Sequence, residues 1–210
     1  NQETSFFRDA GVLEMLVEAA QALQAKSPGR RLRIWSAGCS NGQEPYSLAM
    51  LFEEAGAARG IPMPEIVATD VSAAAVARAR AGRFSQFEIQ RGLPVRRMID
   101  WFDTADGEWI VRPELAMHVQ FRRHNLAKDP PPAGKFDLVL CRNVLLYFGA
   151  DLRTQVFRTL RSGIRDGGLL VLGAGETVIG QTDAFRPSER FRGLYQAESV
   201  DRKQLSVPTR

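Results

Sequence analysis

The sequence predicts an α/β fold: a doubly wound, mostly parallel sheet with a small antiparallel insertion. Three observations predict it. Apolar runs of strand length alternate with segments of helical period along most of the 210 residues, which is the pattern of strand–helix–strand units. A glycine-bearing loop, "GCSNG" at 38–42, joins the first such strand to the helix after it. Between about 84 and 122 the rhythm changes, and Trp109/Val111 and Val119/Phe121 alternate as in short antiparallel strands.

The elements follow in order. Leu13, Leu16, Val17, Ala20 and Leu23 recur at helical spacing, and "SPGRR" ends that helix. "RLRIWSA" reads as a buried strand running into the glycine loop. Leu48, Leu51, Phe52 and Ala55 mark the next helix, with Pro45 tolerated in its first turn. "PEIVATD" is a second strand ending in an acid, and the alanine-rich helix over 73–81 is stopped by Gly82. After a polar stretch and the alternating pairs, "FDLVLCRNVLLYF" is apolar enough for a central parallel strand. Residues 151–165 read as a helix, "DGGLLVLGAGE" as a turn and strand, and "FRGLYQAES" as a late edge strand. A catalytic unit over 1–200 and a polar tail at 201–210 are expected, and from Asn1 at its start the chain is expected to be a fragment.

Composition narrows the function. No apolar run reaches the roughly 18 residues of a membrane span, and no signal peptide opens the chain, so a cytoplasmic protein is expected. The two cysteines, Cys39 and Cys141, form no metal-ligand spacing and read as reduced, buried small side chains; no metal is expected. The net charge of +4 comes with basic runs such as "GRRLR", "VRRM" and "FRRHN". Aromatics are not interleaved with these runs, so a nucleic-acid surface is disfavoured and an acidic protein helix is the better partner.

Three ligands compete for the glycine loop. A phosphate loop needs Gly-Lys-Ser/Thr, and here Gln43 follows Gly42. A dinucleotide site wants G-x-G-x-x-G, but Gly38 and Gly42 are four apart and Glu44 would repel a pyrophosphate. S-adenosylmethionine carries an ammonium, a sulfonium and free ribose hydroxyls, and for it two acids are useful. Glu44 can accept from the ammonium, and Asp70, 28 residues after Gly42 in "IVATD", can take the ribose. Singly, Gly38 and Gly42 could be an ordinary turn and Asp70 a helix cap. The ordered set with "FDLVLCRN" is what favours the cofactor.

"TSFFRD" (4–9), "WSAGCSNGQEPYSLAM" (35–50), "ATDVS" (68–72), "FRRHNL" (121–126), "FDLVLCRNVLLYF" (136–148) and "GGLLVLGAGE" (167–176) together resemble the CheR family. Its members are chemotaxis methyltransferases that esterify glutamates on methyl-accepting receptors. The resemblance covers nearly the whole chain, in order. It implies a class I S-adenosyl-L-methionine-dependent methyltransferase fold, Rossmann-like, acting on the cytoplasmic helices of chemoreceptors. It also implies site roles. Glu44 would bind the methionine part and Asp70 the ribose, with Gly38 in the cofactor loop. Asn125 and Leu126 would border the adenine, and Arg142 and Asn143 would sit where the fourth strand meets the cofactor. Thr4 and Arg8 would close over the donor, with Tyr147 beside the transferring methyl. Arg8 and Tyr147 are the catalytic candidates, and His118 and His124 read as structural.

Departures limit what carries over. The family's usual N-terminal helical domain is expected to be absent, and a monomer is expected. The segment 101–113 is short where receptor-tethered members have a longer, glycine-rich loop, so docking on a C-terminal pentapeptide is not expected. The rival functions are methylation of another substrate and a non-catalytic S-adenosylmethionine-binding regulatory module.

Overall fold

The structure is a computed structural model that describes residues 3–199; the tail read over 201–210 lies outside them. Helix α1 (Ala10–Lys26) leads to β1 (Arg33–Ala37), α2 (Gln43–Arg59), β2 (Glu65–Asp70) and α3 (Ala73–Ala81). An inserted unit follows: β3 (Arg83–Phe84), α4 (Gln86–Gln90), α5 (Val95–Trp101), β4 (Phe102–Ala105), β5 (Glu108–Val111) and α6 (Pro113–Ala116). The main fold resumes with β6 (Val119–Arg123), β7 (Phe136–Cys141), α7 (Ala150–Gly163), β8 (Ile164–Leu172), β9 (Phe185–Pro187) and β10 (Leu194–Ala197).

The main sheet has seven strands in the order β6-β2-β1-β7-β8-β10-β9, and the insertion is a separate three-stranded sheet, β3-β5-β4. β6, β2, β1, β7 and β8 run parallel, and β10 pairs antiparallel with both β8 and β9. Strand order reverses at β1, with β2 on one side and β7 on the other. The carboxyl ends of those three strands therefore frame a crevice at the switch point.

Alternation along each strand builds two apolar layers. Ile34, Ile66 and Leu138 pack with Leu13, Leu16, Leu48 and Phe52 of α1 and α2. Trp35, Val67 and Val139 pack on the opposite face with Val156, Phe157 and Leu160 of α7. The indole N–H of fully buried Trp35 donates to Thr69 Oγ1 at 2.9 Å, so its polar edge is satisfied inside the core. Buried Asp137 sits at the amino end of β7, where Arg30 Nη2 (2.7 Å) and the backbone N–H of Arg33 (2.9 Å) donate to it. Arg30 holds its proton more tightly for that hydrogen bond.

The structure corrects three sequence readings. Val119–Arg123 is not part of the antiparallel insertion; it is the outermost parallel strand, paired with β2 from Ile66↔Val119 to Asp70↔Arg123. As an edge strand it buries Val119 and Phe121 and exposes Gln120 and Arg122, so its alternation imitates an antiparallel strand. The polar stretch after Gly82 forms two short helices, the first opened by a reciprocal capping box between Ser85 and Glu88. Finally, "GLYQA" is one strand in from the edge, because β9 pairs outside it.

The β4–β5 turn consists of Asp106 and Gly107, both at positive φ (55° and 77°). This pair of left-handed residues matches the twist of a two-residue hairpin.

Candidate functional site

The crevice holds a cleft of about 540 Å³, within the range of small-molecule sites. Its floor is the loop after β1. Gly38 turns at φ 85°, and its N–H and that of Cys39 both donate to Thr69 O, at 2.8 and 2.9 Å. A side chain at Gly38 would meet Val144 Cγ2 at 2.5 Å, so glycine is required where the loops after β1 and β7 close on one another.

Two acids flank that floor. Glu44, in the first turn of α2, accepts from Ser36 Oγ at 2.8 Å and from Arg142 Nη1 at 3.0 Å. Asp70 closes β2; its Oδ2 accepts from the N–H of Ser40 at 2.9 Å and its Oδ1 from that of Ser72 at 2.9 Å. Asp70 thus ties the loop after β1 to the segment that enters α3, on the cleft wall, while Ser72 rather than Asp70 caps that helix by accepting from the N–H of Ala75. An ionised carboxylate has about four acceptor positions, so each acid keeps capacity for a ligand.

Arg142, just past β7, also lines the cleft, with both terminal nitrogens engaged. Besides Glu44 it donates to the backbone oxygen of Arg8 at 3.0 Å and pairs with Asp9. Through this grip the N-terminal segment becomes a strap over the cleft, to which Thr4 and Arg8 contribute lining. The strap is anchored twice more. Phe6 packs edge-on against Phe84 and Phe102 of the insertion, with centroids 5.0 and 5.7 Å away. The N–H of Phe7 donates to Ser47 Oγ at 3.0 Å. Phe7 and Asp9 take left-handed conformations, with φ 49° and 54°, a strain that such anchoring sustains.

The opposite wall comes from the loops after β6 and β7. Asn125 makes a local turn, its Oδ1 accepting from the N–H of Ala127 at 3.0 Å, with buried Leu126 between them. Asn143 is left-handed at φ 57°, and a 3₁₀ turn, Leu145–Tyr147, follows. Tyr147 lines the cleft and is 56% exposed, so it stands at the mouth rather than in the core. All ten residues singled out from sequence therefore line one cleft.

Both histidines have structural partners. His118 Nε2 lies 2.7 Å from Glu53 and is not among the cleft residues, whereas His124, on the cleft wall, has Nε2 2.9 Å from Pro130 O. Cys39 and Cys141 are buried free thiols. Burial first, then the charges of Asp70 and Glu44, pushes the Cys39 thiol far above its ordinary value; burial with Glu176 and Glu44 does the same at Cys141. Neither is a nucleophile near neutrality. Among the described residues no group of three or more His, Cys, Asp or Glu is arranged to hold a metal ion, and no helix is long and apolar enough to cross a membrane.

Sequence reasoning missed Ser36, Asp9 and Glu176. Ser36 aligns Glu44, and Asp9 completes the Arg142 grip. Glu176 accepts N–H groups from the turn that bears Tyr147. "GAGE" marks a turn, but nothing in it shows that its acid reaches amides some 30 residues upstream.

The donor set suits S-adenosylmethionine. Two carboxylates face one cleft with an apolar wall, and the glycine loop brings no cation for a phosphate. A family model described as "CheR methyltransferase, SAM binding domain" matches residues 2–193. "Chemotaxis protein methyltransferase Cher2" of Pseudomonas putida is 38% identical over 202 residues, covering 93% of this chain and 74% of that protein. "Chemotaxis protein methyltransferase 1" of Pseudomonas aeruginosa is 39% identical over 202 residues, with the same coverage. Among solved structures, a TehB-like SAM-dependent methyltransferase from Corynebacterium glutamicum aligns with TM-score 0.47 and 16% identity, over 85% of this chain and 84% of that one.

Proposed function

The chain belongs to the CheR methyltransferase family, with S-adenosylmethionine as its cofactor, and from that premise we propose that it methylates glutamate side chains on the cytoplasmic helices of chemoreceptor-like proteins. The observation that carries this reading is the meeting of Arg8 and Tyr147, from distant parts of the chain, at the cleft that holds Glu44 and Asp70.

When bound, S-adenosylmethionine supplies an electrophilic methyl on a sulfonium that departs as a neutral thioether. Glu44 accepts from the ammonium and Asp70 from the ribose hydroxyls, while Asn125 and Leu126 border the adenine. Gly38 and Asn143 let the backbone approach, and Arg142 keeps Glu44 aligned. The acceptor glutamate, with an ordinary pKa of about 4.3, is already an anion near neutrality, so no residue need take a proton. Arg8 draws that carboxylate in by charge, and Tyr147 orients it with its hydroxyl and ring face. The strap, with Thr4, excludes water from the cleft, so positioning and a matched field carry the rate.

The acceptor surface follows from charge: a chain of net charge +4 attracts an acidic helix. The catalytic unit is read as residues 1–200, working as a cytoplasmic monomer. The test is transfer of labelled methyl from S-adenosylmethionine to a receptor cytoplasmic fragment. Label released by mild base identifies glutamate esters. Base-stable label would assign another acceptor, and binding without transfer would make the chain a regulatory module.

A further inference from the structure

Beyond β7 the chain reaches Tyr147 through an irregular path. Asn143 is left-handed, Val144 follows at φ −114° and ψ −45°, and a three-residue 3₁₀ turn ends at Tyr147. So short a turn has little stability of its own. Tyr147 is more than half exposed, and the backbone of this turn sets where its side chain starts.

One side chain holds that backbone. Glu176 Oε2 accepts from the N–H of Asn143 at 2.8 Å and of Gly173 at 2.7 Å; Oε1 accepts from Leu145 at 2.7 Å and Leu146 at 3.3 Å. Two donors per oxygen fill the capacity of an ionised carboxylate. A carboxamide has one accepting oxygen, and its NH₂ would face amide hydrogens. The clamp is braced by its own turn, in which the N–H of Glu176 donates to Gly173 O at 3.0 Å. Gly173 fits because it has no side chain: a Cβ there would stand 2.8 Å from both the N and the Nδ2 of Asn143.

Glu176 does not line the large cleft. It lines a smaller cavity of about 260 Å³ whose wall includes Leu145 and Leu146. It can therefore act on chemistry only through the turn. We infer that Glu176 is a positioning residue for methyl transfer, fixing the amides of Asn143, Leu145 and Leu146 so that Tyr147 is held at the mouth of the cleft. This rests on the reading of Tyr147 as a group beside the transferring methyl.

The test compares Glu176→Gln, Tyr147→Ala and the double variant in two measurements. Amide hydrogen exchange on the ligand-free protein should show Asn143, Leu145 and Leu146 losing protection in Glu176→Gln. Single-turnover methylation of a receptor fragment should fall about tenfold or more in Glu176→Gln, as expected for a misplaced catalytic group. In the Tyr147→Ala background the same substitution should cost much less, because its effect passes through a side chain already removed. Full additivity would make Glu176 merely structural and overturn the inference, as would an undiminished rate with protection lost. If Glu176→Gln does not fold, Gly173→Ala displaces Asn143 from the other side and takes its place in the same cycle. A wild-type chain that transfers no methyl refutes the functional reading, whereas retained amide protection in Glu176→Gln refutes the clamp itself.

Discussion

Arg142 Nη1 lies 3.0 Å from Glu44 Oε2, with only 3% of the arginine side chain and 16% of the glutamate side chain exposed. The cation after β7 and the acid of α2 are thus one unit. Arg142 holds both Glu44 and the strap.

Removing Arg142 should leave the partly buried Glu44 without its counter-charge. Arg142→Ala is expected to cost about 3–5 kcal/mol of stability, the range for breaking a buried pair from one side. Urea unfolding measures it; a loss within about 1 kcal/mol, the worth of an exposed pair, would show that the site is open to solvent.

Asp70→Ala should weaken S-adenosylmethionine binding by about 1.5–3 kcal/mol for each charged hydrogen bond lost. Because Asp70 also receives the amides of Ser40 and Ser72, both loops should loosen as well. Calorimetric titration of a folded variant with unchanged affinity would remove Asp70 from the cofactor site.

Arg8→Ala and Tyr147→Phe should lower turnover more than cofactor affinity, since both are read as acting on the incoming carboxylate. Single-turnover rates beside a binding titration decide this. Equal losses in both measurements would make them ordinary binding residues.

Cys39 and Cys141 should resist alkylation in the native state at about pH 8. The raised thiol values keep both protonated there, and the thiolate is the reacting form. Iodoacetamide should label neither until guanidinium unfolds the chain. Labelling of folded Cys39 at this pH would mean the glycine loop opens.

The two-residue β4–β5 turn at Asp106 and Gly107 leaves little loop to grasp a receptor's C-terminal peptide. Trimming that peptide should change initial methylation rates by less than about twofold, since no tether raises local concentration. Added salt should slow the reaction by screening attraction to an acidic helix. A large loss on trimming, or indifference to salt, would overturn this account of docking.

Much of the fold was legible because it is periodic. The helix at Leu13–Leu23, the strands ending at Ala37 and Asp70, and the stop at Gly82 all repeat rules local to a few residues. β6 was misplaced because an edge strand buried on one face looks alike whether its neighbour runs parallel or antiparallel. That Glu44 and Asp70 share one cleft was legible from loop position and family resemblance. Ser36, Asp9 and Glu176 were not, since each acts on a partner that only the tertiary fold supplies. For Glu176 the partners are amides, which leave no trace in residue identity.

The grip of Arg142 on the Arg8 carbonyl joins residues 134 positions apart. That separation makes it a high-contact-order closure, entropically late in folding. On the ribosome, at about 5–20 residues per second, Arg8 would emerge roughly 7 to 27 seconds ahead of its partner. For much of that interval Phe6 lacks the rings of Phe84 and Phe102 against which it packs, which makes this segment a natural stretch for a chaperone to hold.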